Sequence, residues 1–504
     1  MSKSLAIPFA IFVVIVCFAS AGPAGAQIDS RENVDEIIDG FENEAPADTK
    51  DDLQELLQGF EEDTAVKPEP STEEDEILQG FDDQQEETFA ETRSAPEADQ
   101  PSSWSLDGEF VFTTTYNFSP DATSPWRGFT MLRPELELTL KNRFSDNWQG
   151  QISVRGFYDL IYVLRGREAY TPQVLDEYET ELELEDTFIQ GRITDRLDTK
   201  IGRQIVVWGT LDNLRVTDVL NPLDLRLPGL TDIDDLRLPV TMVKFDYYFG
   251  NWGLGVMAIP EVRFSKLPVF GSDFYPFPQP RPPEGDPEEG FQDMQAAAAL
   301  TGFFSGWDIG FYWANIYNDQ SYAKLVSPGP PEQFVRNHPR INMLGTAANL
   351  AFGNWLWKAE AAWFSGLQFT NTPGVEYSRL DLAAGVEYSG FSEATVSLEA
   401  VNRHIFDYSS LLELPPDETD ENEFQWALRI AKDFIHDTLT LTLLASTFGI
   451  KADDGAFTRF DGQYDVTDAL SVRGGVVFYQ SGDKGRLKDV GANDRLFLAI
   501  KYSF

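Results

Sequence analysis

The stretch Asn493-Asp494-Arg495-Leu496-Phe497-Leu498-Ala499-Ile500-Lys501-Tyr502-Ser503-Phe504 decides the fold. Side chains of an extended strand alternate between two faces. Leu496, Leu498, Ile500, Tyr502 and Phe504 therefore share one face, and Arg495, Phe497, Ala499, Lys501 and Ser503 share the other. The first face is wholly apolar and carries aromatics at its far end. Terminal residues of soluble domains are usually frayed and polar, whereas an apolar face with interfacial aromatics suits a strand against lipid. The competing reading is the edge strand of a secreted β-sandwich.

The same alternation recurs upstream. Leu136, Leu138 and Leu140 interleave with Glu135, Glu137 and Thr139, and Ile152, Val154, Tyr158 and Leu160 with Gln151, Ser153, Arg155 and Asp159. Leu380, Leu382, Ala384, Val386 and Tyr388 oppose Arg379, Asp381 and Glu387; Phe424, Trp426, Leu428 and Ile430 oppose Gln425 and Arg429; Val472, Val476 and Phe478 oppose Arg473 and Tyr479. A sandwich also alternates, because its apolar face packs inward, so connection lengths must separate the two. Short turns at Ser145-Asp146-Asn147, Thr194-Asp195-Arg196, Gly250-Asn251, Ser305-Gly306, Gly353-Asn354 and Thr467-Asp468 alternate with long connections at 119–126, 165–175, 210–238, 266–293, 319–339, 371–377 and 409–421. Tight periplasmic turns and elaborated outer loops give that rhythm. Trp148, Trp252, Trp307, Trp355 and Trp357 stand beside the short turns, where an aromatic girdle belongs. The expected fold is all-β: a transmembrane antiparallel β-barrel of about 18 (16–18) strands over residues 104–504. Strand side chains alone cannot fill a barrel that wide.

On this reading the final strand resembles the C-terminal signature by which outer-membrane β-barrels are recognised for insertion. The resemblance implies Tyr502 and Phe504 as the insertion signal. It also implies the barrel-assembly machinery and outer-membrane lipid as partners, and the outer membrane of a Gram-negative bacterium as the location.

At the other end, Lys3, the apolar run Leu5 to Phe18 and Ala24-Gly25-Ala26 before Gln27 read as a cleaved secretory signal, residues 1–26. Cys17, the single cysteine, lies inside that run, and Val14-Ile15-Val16 lack the small residues of a lipid-attachment site. The mature chain is expected to hold no thiol, hence no disulfide and no thiolate metal site. Its net charge of −44, from 83 acidic and 39 basic residues, argues against nucleic acid as a partner.

About half of that charge falls in residues 27–103, which are poor in bulky apolar residues and are expected to form a disordered, periplasmic leader. One unit recurs there three times: Asp35-Glu36-Ile37-Ile38-Asp39-Gly40-Phe41-Glu42, Gln54-Glu55-Leu56-Leu57-Gln58-Gly59-Phe60-Glu61 and Asp75-Glu76-Ile77-Leu78-Gln79-Gly80-Phe81-Asp82. Each offers two aliphatic residues and a Phe within a turn or two, with Gly placed to end a helix. That chemistry suits docking into an apolar groove with a basic rim, and three copies on one tether raise apparent affinity. Gly40, Phe41, Gly59, Phe60, Gly80 and Phe81 are the candidate contacts with a periplasmic protein. The plainer reading is a solubilising spacer.

The most distinctive stretch runs from Gly202-Arg203-Gln204-Ile205-Val206-Val207-Trp208-Gly209 through Asn221-Pro222-Leu223-Asp224 to Leu236-Arg237-Leu238-Pro239. It resembles a proteobacterial family of uncharacterised, porin-like outer-membrane proteins that carry an Arg-Gln-x-Val-x-Trp-Gly strand end, an Asn-Pro-x-Asp loop and a Leu-Arg-x-Pro return. The resemblance implies work beside transporters for hydrophobic compounds. On its own residues, this loop is too long for an idle connection and mixes charges with the leucines Leu211, Leu214, Leu220, Leu223, Leu225, Leu227 and Leu230. Folded into the lumen, its leucines would pack on the wall. Arg203, Asp218, Asp224, Arg226 and Arg237 would then form a constriction with Arg155, Arg429 and Arg473 of the strands. The alternative is a loop over the rim. Placing Arg203 inward carries Ile205 and Val207 inward too, so a bulge near Gly202 or packing against the loop is expected.

Further inward-facing residues are Glu135, Glu137, Glu181, Glu183, Glu185, Arg379, Asp381, Glu399, Arg403, Arg459, Asp461 and Arg495. The acids concentrate in the first strands and the arginines in the last, which predicts a transverse field on closure. The Pro-rich stretch 275–287 is expected to stand outside as a stiff arm. The leading function is passive passage of solutes through a channel narrowed by the 210–239 loop and mildly cation-selective. The alternative is a component of a hydrophobic-compound or lipid transport system whose leader docks a periplasmic partner. Catalysis is disfavoured, because His338, His404 and His436 are expected apart and a Ser-His-acid site needs hydrogen-bond contact. No cofactor or metal is assigned; acids such as Asp232 to Asp235 usually just solvate. The leader is too small and polar to be the plug of an energised receptor.

Overall fold

The computed structural model describes residues 103–285, 293–329, 332–483 and 485–504. The signal segment and the leader with its three Gly-Phe units lie outside them. In chain order the elements are β1 (Trp104–Asn117), β2 (Gly128–Ser145), β3 (Trp148–Tyr158), the short helices α1 (Ile161–Arg165) and α2 (Pro172–Tyr178), β4 (Thr180–Thr194), β5 (Leu197–Gln204), β6 (Val240–Phe249), β7 (Trp252–Ile259), β8 (Gln295–Phe304) and β9 (Trp307–Tyr317). There follow β10 (Tyr322–Ser327), β11 (Gln333–Asn337), β12 (Arg340–Phe352), β13 (Trp355–Leu367), β14 (Tyr377–Phe391), β15 (Ala394–Ile405), β16 (Asn422–Phe434), β17 (Leu439–Phe448), β18 (Ala456–Thr467), β19 (Leu470–Gln480) and β20 (Arg495–Ser503).

Eighteen of these strands make one antiparallel sheet, and β1 pairs with β20, so the sheet closes into a barrel. The β10–β11 hairpin lies apart, within the connection from β9 to β12. At the closing seam Phe110 faces Tyr502 and Phe112 faces Ile500, so the last strand continues the apolar face of the first. Closure at that seam pairs the first strand with the last, so neither is left as an open edge for lipid to meet.

The alternation sorts side chains as an outer-membrane barrel requires. Leu344, Trp363, Leu382 and Leu398 point outward and are exposed, while their neighbours Met343, Phe364, Asp381 and Glu399 are buried inside. Aromatics gather at the short turns: Phe304 stacks on Trp307 at 4.2 Å between ring centroids, and Trp355 lies 4.4 Å from Tyr388. Offset and tilted contacts of this kind suit an interfacial belt.

The wall has a step. Only Thr187–Thr194 of β4 pairs with β5, so among the described residues Thr180–Asp186 has a ladder on the β3 side alone. A β-bulge falls within that half: Ile152 pairs with Thr187 and Val154 with Leu184, which leaves Glu185 and Asp186 opposite Ser153. The bulge expected near Gly202 is therefore on β4, since β5 pairs through Gly202 without a register break. What shifts the phase there is the glycine itself. Its φ of +134° separates Ile201, exposed on the outer face, from Arg203, which turns in to Glu183. A Cβ at Gly202 would meet the carbonyl oxygen of Thr187 at 2.3 Å.

The described part of the Pro-rich arm does not stand free. Gly285 N donates to Arg336 O at 2.8 Å, Arg336 N donates to Pro283 O at 2.9 Å, and His338 Nε2 contacts Glu284 at 2.7 Å. Proline lacks an N–H but keeps its carbonyl, so the arm can still accept from β11.

Candidate functional site

Between Gln204 and Val240 the chain turns into the barrel. Asn221 ties the two ends of this segment together: its Oδ1 accepts from Val206 N at 2.8 Å, and its Nδ2 donates to Gln204 O at 3.2 Å and Leu238 O at 2.9 Å. Asp218 makes a second tie, accepting from Arg237 Nε at 2.9 Å and pairing with Arg215 at 3.0 Å. Trp208 stacks on Tyr312 of β9 at 5.0 Å. The motif residues thus serve the segment's own scaffold.

The segment's apolar side chains have a matching wall. Val206, Trp208, Leu214, Val216 and Leu220 pack in one buried cluster with Met242, Met257, Ala297, Ala314, Met343, Ala347, Ala362, Ala383 and Ala427, the inward residues of β6 to β16. Small and flexible wall residues leave the depth that an inserted backbone needs. At the far side, two wall carboxylates receive the segment's turn. Glu360 of β13 accepts from Thr210 N (2.6 Å), Leu211 N (3.0 Å) and Thr217 N (3.0 Å), and Glu399 of β15 accepts from Asp212 N (2.8 Å), Asn213 N (2.9 Å) and Leu214 N (3.1 Å).

The remaining inner wall, from β16 through β20 to β4, carries charges beside a second apolar cluster of Val477, Tyr479 and Phe497 with Phe274. Arg155 lies among Glu135, Glu181 and Glu185, with Glu185 at 2.7 Å. Arg473 pairs with Asp461 at 2.9 Å and with Asp232 of the segment at 3.4 Å; Arg459 also contacts both acids. The described structure does not set an acidic side against a basic one, because loops bring in the counter-charges. Glu181 and Glu183 are met by Arg226, Arg263, Lys266 and Arg203, and Arg495 by Asp273.

Of the sequence candidates, Asp218 with Arg237, and Asp224 with Arg226, are internal pairs, the second a fork with contacts of 2.5 to 3.1 Å. Arg203 sits between Glu183 and Glu261. These residues build the segment and its root; Arg155, Arg429 and Arg473 belong to the charged sector. Arg429 acts on Asp232 at longer range. Burial opposes ionisation of Asp224 and Asp232, but Arg226 for the first, and Arg459 with Arg473 for the second, outweigh it and hold both carboxyls below their usual range. Tyr502 and Phe504 stack at 6.0 Å on the outer face. Sequence reasoning passed over Glu360 and Lys358, and met Asn221 only as part of the Asn-Pro-x-Asp motif. The first two stand in an Ala-rich strand whose alternation turns them inward without naming a partner.

Residues 130–504 match the model of a family described as "Protein of unknown function (DUF1302)". No curated protein matches the chain in sequence. Among solved structures it is similar to Acinetobacter baumannii OccAB3, with 10% identity over 80% of this chain and 99% of that one, at a TM-score of 0.49. Similar too are Pseudomonas aeruginosa OccK9 (OpdG), at 13% identity over 80% and 97% with a TM-score of 0.46, and a BenF-like porin from Pseudomonas fluorescens Pf-5, at 11% identity over 80% and 98% with a TM-score of 0.48.

Proposed function

The chain belongs to the DUF1302 family, and from a closed lipid-facing barrel with a charged inner sector we propose an outer-membrane channel for passive passage of small polar solutes, constricted by the segment 205–239. The observation that carries this reading is the division of the lumen. The segment covers the apolar inner wall, while charges on the other sector keep contact with solvent: Arg155, Glu135 and Arg473 are each 24% exposed and Asp232 is 34% exposed. Both signs are present along that sector, so solutes meet a polar path in which Arg155, Arg429 and Arg473 and the acids beside them set preference.

Reconstitution in planar bilayers tests it. Stepwise ion conductance is expected, and a barrel that inserts but stays silent would sink the channel reading. The second reading, a docking component of a hydrophobic-compound transport system, depends on the leader's Phe41, Phe60 and Phe81, which lie outside the described residues. Pull-down with and without Phe→Ala changes at those positions separates it from conduction.

A further inference from the structure

We infer that Glu360 and Glu399 are positioning residues that set the aperture, holding the turn Gly209–Thr217 on the far wall as a latch. The inference rests on the channel reading. The segment is rooted at β5 and β6, and Asn221 and Asp218 act within it, whereas its turn crosses to β13 and β15, strands separated from β5 by β6, β7, β8, β9 and β12.

The wall there is built as a seat. On β12, a Cβ at Gly345 would lie 2.8 Å from Thr217 Cγ2; on β14, a Cβ at Gly385 would lie 3.0 Å from Leu211 Cδ2. Recess and acceptor therefore alternate across four strands: Gly345, Glu360, Gly385, Glu399. The turn fits in turn, since Gly209 has a φ of +89° and a Cβ on it would meet Glu360 Oε1 at 2.5 Å. Thr217 gives Glu360 Oε2 its hydroxyl at 2.8 Å as well as its N–H, and Lys358 reaches Asp212 at 2.5 Å.

Both oxygens of each carboxylate accept from backbone N–H groups, so no carboxamide can replace them: one of its two ends would present N–H to N–H. Glu→Gln is thus a change of nearly equal size that empties the seat. Asp212 at the edge of the turn faces solvent, which competes for the same donors.

The test compares wild type with Glu360→Gln/Glu399→Gln in planar bilayers. The variant is expected to pass at least twofold more current per channel, with added flicker. Adding Thr217→Cys/Gly345→Cys on that background should return the current to the wild-type level when oxidised and release it when reduced. Lowered thermal stability with unchanged conductance would overturn the latch and leave two merely structural acids. A readout independent of conduction is labelling of Ala383→Cys, buried in the cluster beneath the segment, by a small thiol reagent. Faster labelling in the Gln background supports the latch even if the wild type proves silent, which would sink the channel reading alone; equal labelling overturns the latch.

Discussion

Arg495, the first residue of β20, places Nη2 2.8 Å from Asp273 Oδ2, 222 positions earlier in the chain. Both side chains are buried, and the guanidinium also lies 4.5 Å from the ring of Phe274. The connection after β7 is thereby stapled to the strand that closes the barrel. Asp273→Ala leaves a buried cation unpaired and should cost about 3–5 kcal/mol. The folded band in heat-modifiability gels should disappear at a lower temperature than in wild type.

Asn221→Ala removes three hydrogen bonds at once and leaves Val206 N and Leu238 O without their partner. Each buried polar group left unmet costs about 1–3 kcal/mol. Because the segment would then lose its internal tie, larger and noisier channels are expected alongside lower stability. Unchanged current with normal stability would mean that the tie is redundant.

Charge reversals should divide by position. Arg429→Glu changes the open sector and is expected to move the reversal potential in a salt gradient toward cation preference. Arg203→Glu places a third acid between Glu183 and Glu261 and should lower the yield of folded barrel instead. If Arg203→Glu folds normally and shifts selectivity, the residue lines the path after all.

The pH response follows from Asp232. Its carboxyl is held below the usual carboxylate range because Arg459 and Arg473 outweigh burial. A lowered folded-state value means that the contribution is complete above about pH 4, the unfolded value, and is lost as pH falls through the lower folded one. The part of the conductance that depends on Asp232 should therefore stay constant from neutral pH down to about pH 4 and change below it. Asp232→Asn should remove that component of the acid response.

Leu398→Arg puts a cation on the outer face, at a cost of about 2–4 kcal/mol near the bilayer midplane. Gln463→Arg, one of the inward residues of β18 in line with Arg459 and Asp461, should insert normally. Comparing folded fractions in liposomes checks the orientation of the whole wall.

The barrel was legible because outward apolar residues alternate with inward polar ones along strands such as β2, β14 and β18. It follows that Leu382 and Asp381 could be assigned faces without knowing their neighbours. The turn-and-loop rhythm carried the strand number for a similar reason. Pairing across the lumen has no such local mark. Glu360 meets Thr210 across 150 residues, and no spacing in either stretch announces it. The expectation of an acidic side facing a basic one failed for the same cause: strands alone were counted, while Asp232, Asp273, Arg226 and Arg263 arrive from connections. The bulge at Glu185 and Asp186 leaves no residue-type signature, unlike the glycine at 202.

The step between β4 and β5 bears on the order of assembly. Among the described residues, seven of β4 have no strand to zip onto on one side, and what meets Glu181 and Glu183 there is Arg203 at the end of β5 and then Arg226, Arg263 and Lys266 from later connections. That half of β4 therefore cannot gain its full set of partners until the connection after β7 has been added, and a chain shorn of 205–239 is expected to lose Arg226 from beside Glu181.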